Sequence, residues 1–168
     1  MKMYKEYFEV ISNYEITKWN NGDEYGHYIM SIAKFKESNP ILVIQERQSK
    51  YFYARLLDSY QPYVINKVLN DMLDKLEPKS ITLYVGIKES PYREIEKIIN
   101  CKLYVYRDFK NHDIGAVNNS IGTLEFLLRK DTVINKETLE DAVYRLNHRP
   151  MAVLNYKTRA EMKNILEA

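Results

Sequence analysis

The chain has 168 residues, a single cysteine and a net charge of +2 from 25 basic and 23 acidic residues. That is one domain's worth of chain, long enough to bury a core; it excludes an internal disulfide framework, a cysteine-paired zinc or redox site and a polybasic arm. Residues 1–10 carry Lys2, Lys5, Glu6 and Glu9, and no apolar run approaches the roughly 20 residues of a membrane span, so the expectation is a cytoplasmic protein with no signal peptide or membrane anchor.

Residues 13–19 read as a short strand, ended by the turn-rich Asn20-Asn21-Gly22-Asp23. Residues 27–35 and 41–45 are apolar and β-favouring, with Glu37-Ser38-Asn39-Pro40 between them, and residues 51–57 form a further, aromatic-rich strand. The period then changes. Ile65, Val68, Leu69, Met72 and Leu76 recur at helical spacing, which predicts an amphipathic helix within 60–76. A strand follows over 80–85. Ser90-Pro91 opens a short helix, with serine as N-cap and proline at the first helical position, and Ile95, Ile98 and Ile99 form its apolar face. Residues 102–106 return to a strand.

The remainder reads as helical. Ile114, Val117, Ile121, Leu124 and Leu128 mark one helix, and Leu139, Ala142, Val143 and Leu146 a second. A third opens at Thr158-Arg159-Ala160-Glu161, whose first and last side chains can each satisfy a backbone N–H of the other. Antiparallel strands followed by alternating strands and helices predict an α/β fold. The expected architecture is a ribonuclease-H-like mixed five-stranded sheet flanked by helices, residues 1–130, with a helical extension packed on it, residues 131–168.

The C-terminal stretch carries more than a fold class. Leu146-Asn147-His148-Arg149-Pro150 followed by Leu154-Asn155-Tyr156-Lys157-Thr158-Arg159-Ala160-Glu161 resembles the ending "LNxRPxxxLGxKTPxE" of integrase-core (DDE-class) transposases of bacterial insertion sequences. It departs at Asn155, where the family favours glycine, and at Arg159, where it favours proline. Lys79-Ser80-Ile81-Thr82-Leu83-Tyr84-Val85-Gly86 is similar to the family's "KxITxDNG" strand. Ile44-Gln45-Glu46-Arg47-Gln48-Ser49-Lys50-Tyr51 resembles "xxERKSRF", Gly115-Ala116-Val117-Asn118-Asn119-Ser120-Ile121-Gly122 resembles "GTNENxNG", and Tyr14-Glu15-Ile16-Thr17 resembles "WEID". The resemblance runs over about residues 14 to 162.

Enzymes of that family hold two divalent metals with three carboxylates. The resemblance puts those acids at Thr17, Tyr84 and Asn118, and none of the three is acidic. The interval of 33 residues between Tyr84 and Asn118 keeps the family's spacing while the ligands are gone. Two ions carrying four positive charges need anionic oxygen ligands, and a hydroxyl, a phenol and an amide supply none. The expectation is therefore no catalytic residues, no metal and no cofactor. Magnesium or manganese would enter only if displaced acids such as Glu15 and Glu125 converge; Glu89, after the altered strand, is a further acid. Read as solvated or salt-bridged residues, these acids need no metal.

Other constellations are weaker. His27, His112 and His148 are scattered, and His112-Asp113 has no nucleophile beside it. Cys101 reads as a small apolar residue. Arg107, Lys110, Arg129, Lys130, Arg149 and Lys157 (with Arg145) gather in the C-terminal half with Tyr104, Tyr106 and Tyr156 between them, a composition suited to phosphate contacts and base stacking or to an ordinary charged surface. Arg149 equally suits a structural place in the interhelical turn. Three functions follow: a transposase-derived, inactive protein that binds DNA, RNA or a partner protein; an active metal-dependent nuclease or transposase with relocated acids; and a protein-interaction module or homodimer without nucleic-acid binding.

Overall fold

A computed structural model of the chain describes residues 9–10, 18–19, 24–35, 38–83, 101–105, 112–131 and 133–168. The strands are β1 (Glu9–Val10), β2 (His27–Ala33), β3 (Ile41–Glu46), β4 (Phe52–Leu56), β5 (Ser80–Leu83) and β6 (Lys102–Val105). The helices are α1 (Pro62–Leu73), α2 (His112–Leu128), α3 (Lys136–Asn147) and α4 (Arg159–Glu167), with a 3-10 turn at Ala152–Leu154. The sheet runs β1-β6-β5-β2-β3-β4. β2, β3 and β4 form an antiparallel meander, whereas β5 joins β2 in parallel and β6 joins β5 in parallel. This is the mixed five-stranded sheet expected, with the two-residue β1 added in parallel at the β6 edge.

The sequence explains the layers. β3 is apolar on both faces and wholly buried, as a sheet covered on both sides requires. One face packs on α1 through Tyr28, Met30, Leu42, Ile44 and Ile81 against Ile65, Leu69, Met72 and Leu73. α1 starts where Pro62, which needs no N–H partner, occupies its first turn. The other face packs Ile29, Ala33, Ile41, Val43, Phe52 and Ala54 against Val117, Leu124 and Leu128 of α2 and Leu139, Ala142 and Leu146 of α3. α4 begins with the expected reciprocal cap: Glu161 N donates to Thr158 Oγ1 at 3.1 Å, and Thr158 N donates to Glu161 Oε2 at 2.7 Å.

Two local readings change. Lys18 and Trp19 are helical rather than the end of a strand. A short β-favouring run is ambiguous by period, and the Trp19 ring is recruited into a stack on the sheet face. Asn155, at the position where glycine was favoured, has φ 52°, followed by Tyr156 at φ 63°. Asparagine is among the side chains that tolerate this left-handed backbone best, so the departure from glycine keeps the turn. The expected helix after Ser90-Pro91 lies outside the described residues.

Candidate functional site

The face of the two central strands that α2 and α3 cover positions the polar groups. Strand alternation puts His27, Ile29, Ser31 and Ala33 of β2 on this face, and the register sets Ser80 and Thr82 of β5 beside His27 and Ile29. His27 Nε2 lies 3.0 Å from Glu24 Oε2, and its Nδ1 lies 2.7 Å from Ser80 Oγ. A carboxylate only accepts, so Nε2 donates to Glu24, and the neutral ring accepts from the Ser80 hydroxyl. Trp19 stacks on the imidazole with ring centroids 4.0 Å apart. Arg47 Nη2 donates to Thr82 Oγ1 at 2.9 Å, and its guanidinium sits 5.7 Å from the Trp19 ring centroid.

Ser80, His27 and Glu24 follow the order nucleophile, base, carboxylate. Ser80 is 2% exposed and His27 4%, and the indole covers the ring, so no substrate reaches the hydroxyl. The arrangement is a buried polar tie between β2 and β5. Burial pulls the His27 pKa below the ordinary 6.5, although Glu24 favours the imidazolium. Unfolded His27 therefore takes up a proton that folded His27 resists, and its contribution to stability is present above about pH 6.5 and lost as pH falls below it. Glu24 stays ionised there, because hydrogen bonds from Lys79 and His27 hold its carboxyl at about 2. Urea midpoints at pH 7.5 and 5.5 test this: the wild type should lose more on acidification than His27→Gln, and equal losses would place the sensitive group elsewhere.

The expected acid positions fare unevenly. Thr17, Tyr84 and Glu15 lie outside the described residues, as does Glu89. Asn118 is on the exposed flank of α2, next to Val117, which packs on the sheet. Glu125 is exposed on the same helix. The described positions of β2 and β5 on this face carry no aspartate or glutamate. Among the described residues no three of histidine, cysteine, aspartate and glutamate group closely enough to hold a metal ion. The described donors here are hydroxyls, a neutral imidazole and one carboxylate, Glu24, which is already bonded to His27 and Lys79; a single committed carboxylate does not fit a pair of hard divalent cations.

The motif residues that sequence reasoning left without a role turn out to join distant elements. Glu46, fully buried, accepts from Gln48 N at 2.9 Å, Ser49 N at 2.7 Å, Ser49 Oγ at 2.8 Å and Gly26 N at 3.3 Å. It thereby closes the β3–β4 turn and ties it to the start of β2. Asn147 of the Asn-x-Arg-Pro motif donates through Nδ2 to Phe52 O and accepts from Phe52 N, both at 2.9 Å. Arg159, in the family's proline position, is buried; it donates to Leu146 O at 3.0 Å and to Ser120 Oγ at 3.1 Å, while that hydroxyl bonds Gln45 of β3. Desolvation, with Arg149 nearby, lowers its pKa to about 10, so it remains charged at neutral pH. Nothing in the sequence pairs these residues.

The basic residues divide. Arg107 and Lys110 lie outside the described residues. Arg129 and Lys130 are exposed just past the end of α2, with the Arg129 guanidinium 5.4 Å from the Phe126 ring centroid. Arg149 and Lys157 are exposed in the α3–α4 connection, and Arg149 acts electrostatically on Arg159, which reaches Ser120. The helix runs eight residues, about 12 Å of rise, from Ser120 to its end at Leu128, so Arg129 and Lys130 form a basic patch apart from that of Arg149 and Lys157. Tyr104 is no stacking platform: it is 4% exposed and packs edge-on against Trp19. Its place on β6 turns it into the helix-covered core. Tyr106 lies outside the described residues, whereas Tyr156 is 77% exposed beside Lys157.

No protein-family model and no curated protein matches the sequence. The structure matches the catalytic core domain of BIV integrase with a TM-score of 0.70, covering 84% of this chain and 95% of that one at 12% identity. The shared feature is the fold, a ribonuclease-H-like mixed sheet flanked by helices. Among the described residues no helix is long and apolar enough to cross a membrane.

Proposed function

We propose that this chain is a transposase-derived integrase-core protein that has lost metal-dependent strand transfer and binds nucleic acid through its basic patches. One observation carries the reading: on the central strands β2 and β5 of an integrase-type sheet, the face covered by α2 and α3 presents His27, Ser31, Ser80 and Thr82 and, among the described strand positions, no carboxylate. The sequence motifs support it independently, since they put threonine, tyrosine and asparagine at the three acid positions. His27 and Thr82 are moreover committed to other partners, His27 to Glu24 and Ser80 and Thr82 to the Arg47 guanidinium, so the polar groups of this face are tied into a network of the chain's own side chains.

Supercoiled plasmid incubated with the protein and manganese should stay intact. Nicking that disappears in Glu125→Ala or Glu15→Ala would replace this reading by an active enzyme with relocated acids.

Binding should be weak, salt-sensitive and nearly independent of sequence, because phosphate contacts from Arg129, Lys130, Arg149 and Lys157 position a duplex without reading bases. Arg107 and Lys110 are further candidates. Each neutralised phosphate adds about 0.9 to the log–log salt slope, so three contacts imply roughly 40-fold weaker binding on going from 50 to 200 mM salt. Fluorescence anisotropy with random duplexes measures this. Reversing both Arg129 and Lys130 should weaken all duplexes alike, whereas Glu137→Ala should not. No binding at 50 mM salt would leave a protein-interaction module or homodimer as the function.

A further inference from the structure

β4 is the last strand of the sheet, and its outer edge is only partly closed. Glu46 N donates to Tyr51 O at 3.0 Å and Leu57 N donates to Pro40 O at 2.8 Å, so the odd-numbered residues 51 to 57 turn their backbone toward β3. Phe52, Ala54 and Leu56 turn theirs outward. Asn147 satisfies both groups of Phe52. Among the described residues nothing bonds the outward N–H and C=O of Ala54 or Leu56. Ala54 lies on a groove of about 330 Å³ between two helices, with Met72 and Leu76 at the end of α1 on one side and Val143 and Tyr144 of α3 on the other.

The geometry points to β-strand addition: this groove takes one extended, apolar, uncharged segment of a partner protein, which pairs with Ala54 and Leu56 and starts where Asn147 ends. An edge strand with free backbone groups at every second residue is a template for another strand. Side chains of an added strand alternate, one set toward Met72 and Leu76 and the other toward Val143 and Tyr144, so both sets must be apolar. Charge argues against a nucleic acid here, since Arg55 and Lys75 are matched by Asp71 and Glu140 around the groove. Shape argues against a second copy, whose own α1 and α3 would meet these two helical walls. Unlike the basic patches, this surface needs no polyanion, and the inference stands apart from the proposed function.

Seven-residue peptides selected from a random displayed library against the full chain provide the probe, with backbone hydrogen exchange by NMR as the readout. In the free protein the Ala54 amide, in a residue only 7% exposed but without a hydrogen-bond partner among the described residues, should exchange faster than those of Tyr53 and Arg55; a bound peptide should slow Ala54. Ala54→Pro removes the outward donor without removing a β3 hydrogen bond, because proline is tolerated on an edge with its nitrogen facing out. It should weaken selected peptides at least tenfold. N-methylation of alternate peptide residues should do the same, and it keeps the test valid if Ala54→Pro misfolds. Peptides that bind without slowing the Ala54 amide, or a library with no member that slows it, overturn the assignment. A concentration-dependent dimer that slows that amide would give the edge to a second copy instead.

Discussion

Glu46→Ala is expected to remove about 3–5 kcal/mol of stability. Three backbone N–H groups and the Ser49 hydroxyl converge on its carboxylate in a fully buried turn. Removing the acceptor leaves buried donors unsatisfied, and bonds to an ionised acceptor are the stronger kind. Glu46→Gln separates geometry from charge. Its single carbonyl oxygen can take the place of Oε2, which accepts three of the four bonds, leaving the amide facing only Gly26 N. That variant should lose about 1–2 kcal/mol by urea denaturation. If glutamine costs as much as alanine, the negative charge rather than the acceptor position holds the turn.

Asn147→Ala should cost about 2–4 kcal/mol, because it strips both partners from the outward backbone of Phe52. The side chain acts as one rung of an absent strand, donating and accepting at a residue that is 2% exposed. Asn147→Asp at neutral pH can still accept from Phe52 N, but it sets a carboxylate oxygen against Phe52 O. It should therefore be at least as destabilising as alanine. A shift in the urea midpoint at unchanged slope reads both variants. Near-normal stability of both would mean that water replaces the amide at this edge.

How far the sequence reveals this molecule depends on the range of the interaction. β2 through β6 and the four described helices are legible because their determinants are local: apolar runs, a change of period at Ile65, proline at a helix start, and the Thr158–Glu161 cap. The burial of Tyr104 is not, since a tyrosine near basic residues suits a stacking surface as well as a core until the finished sheet is covered by helices on both faces. The roles of Glu46, Asn147 and Arg159 were hidden for a different reason. The motifs that carry them suggest kinship, yet Asn147 and Arg159 bond Phe52 and Ser120, brought near only by the finished sheet and helices, and Glu46, whose other bonds come from the adjacent Gln48 and Ser49, reaches Gly26 in the same way. For the candidate site, the substitutions at Thr17, Tyr84 and Asn118 were visible as letters. What fills the central strands, a network through His27, Ser80, Thr82 and Arg47, required the register of β2 against β5.

The bond between Asn147 and Phe52 spans 95 residues, and that distance has a meaning during synthesis. The β2–β3–β4 meander is joined by short connections, and hairpins of this kind form in about 1–10 μs. A ribosome adds about 5–20 residues per second, so Asn147 follows Phe52 by roughly 5–20 s. For all of that interval the new edge of β4 carries open backbone groups at Phe52 as well as at Ala54 and Leu56. The nascent chain thus passes through a stage in which its most complete piece of sheet is also its most adhesive, until the end of α3 emerges to clip it.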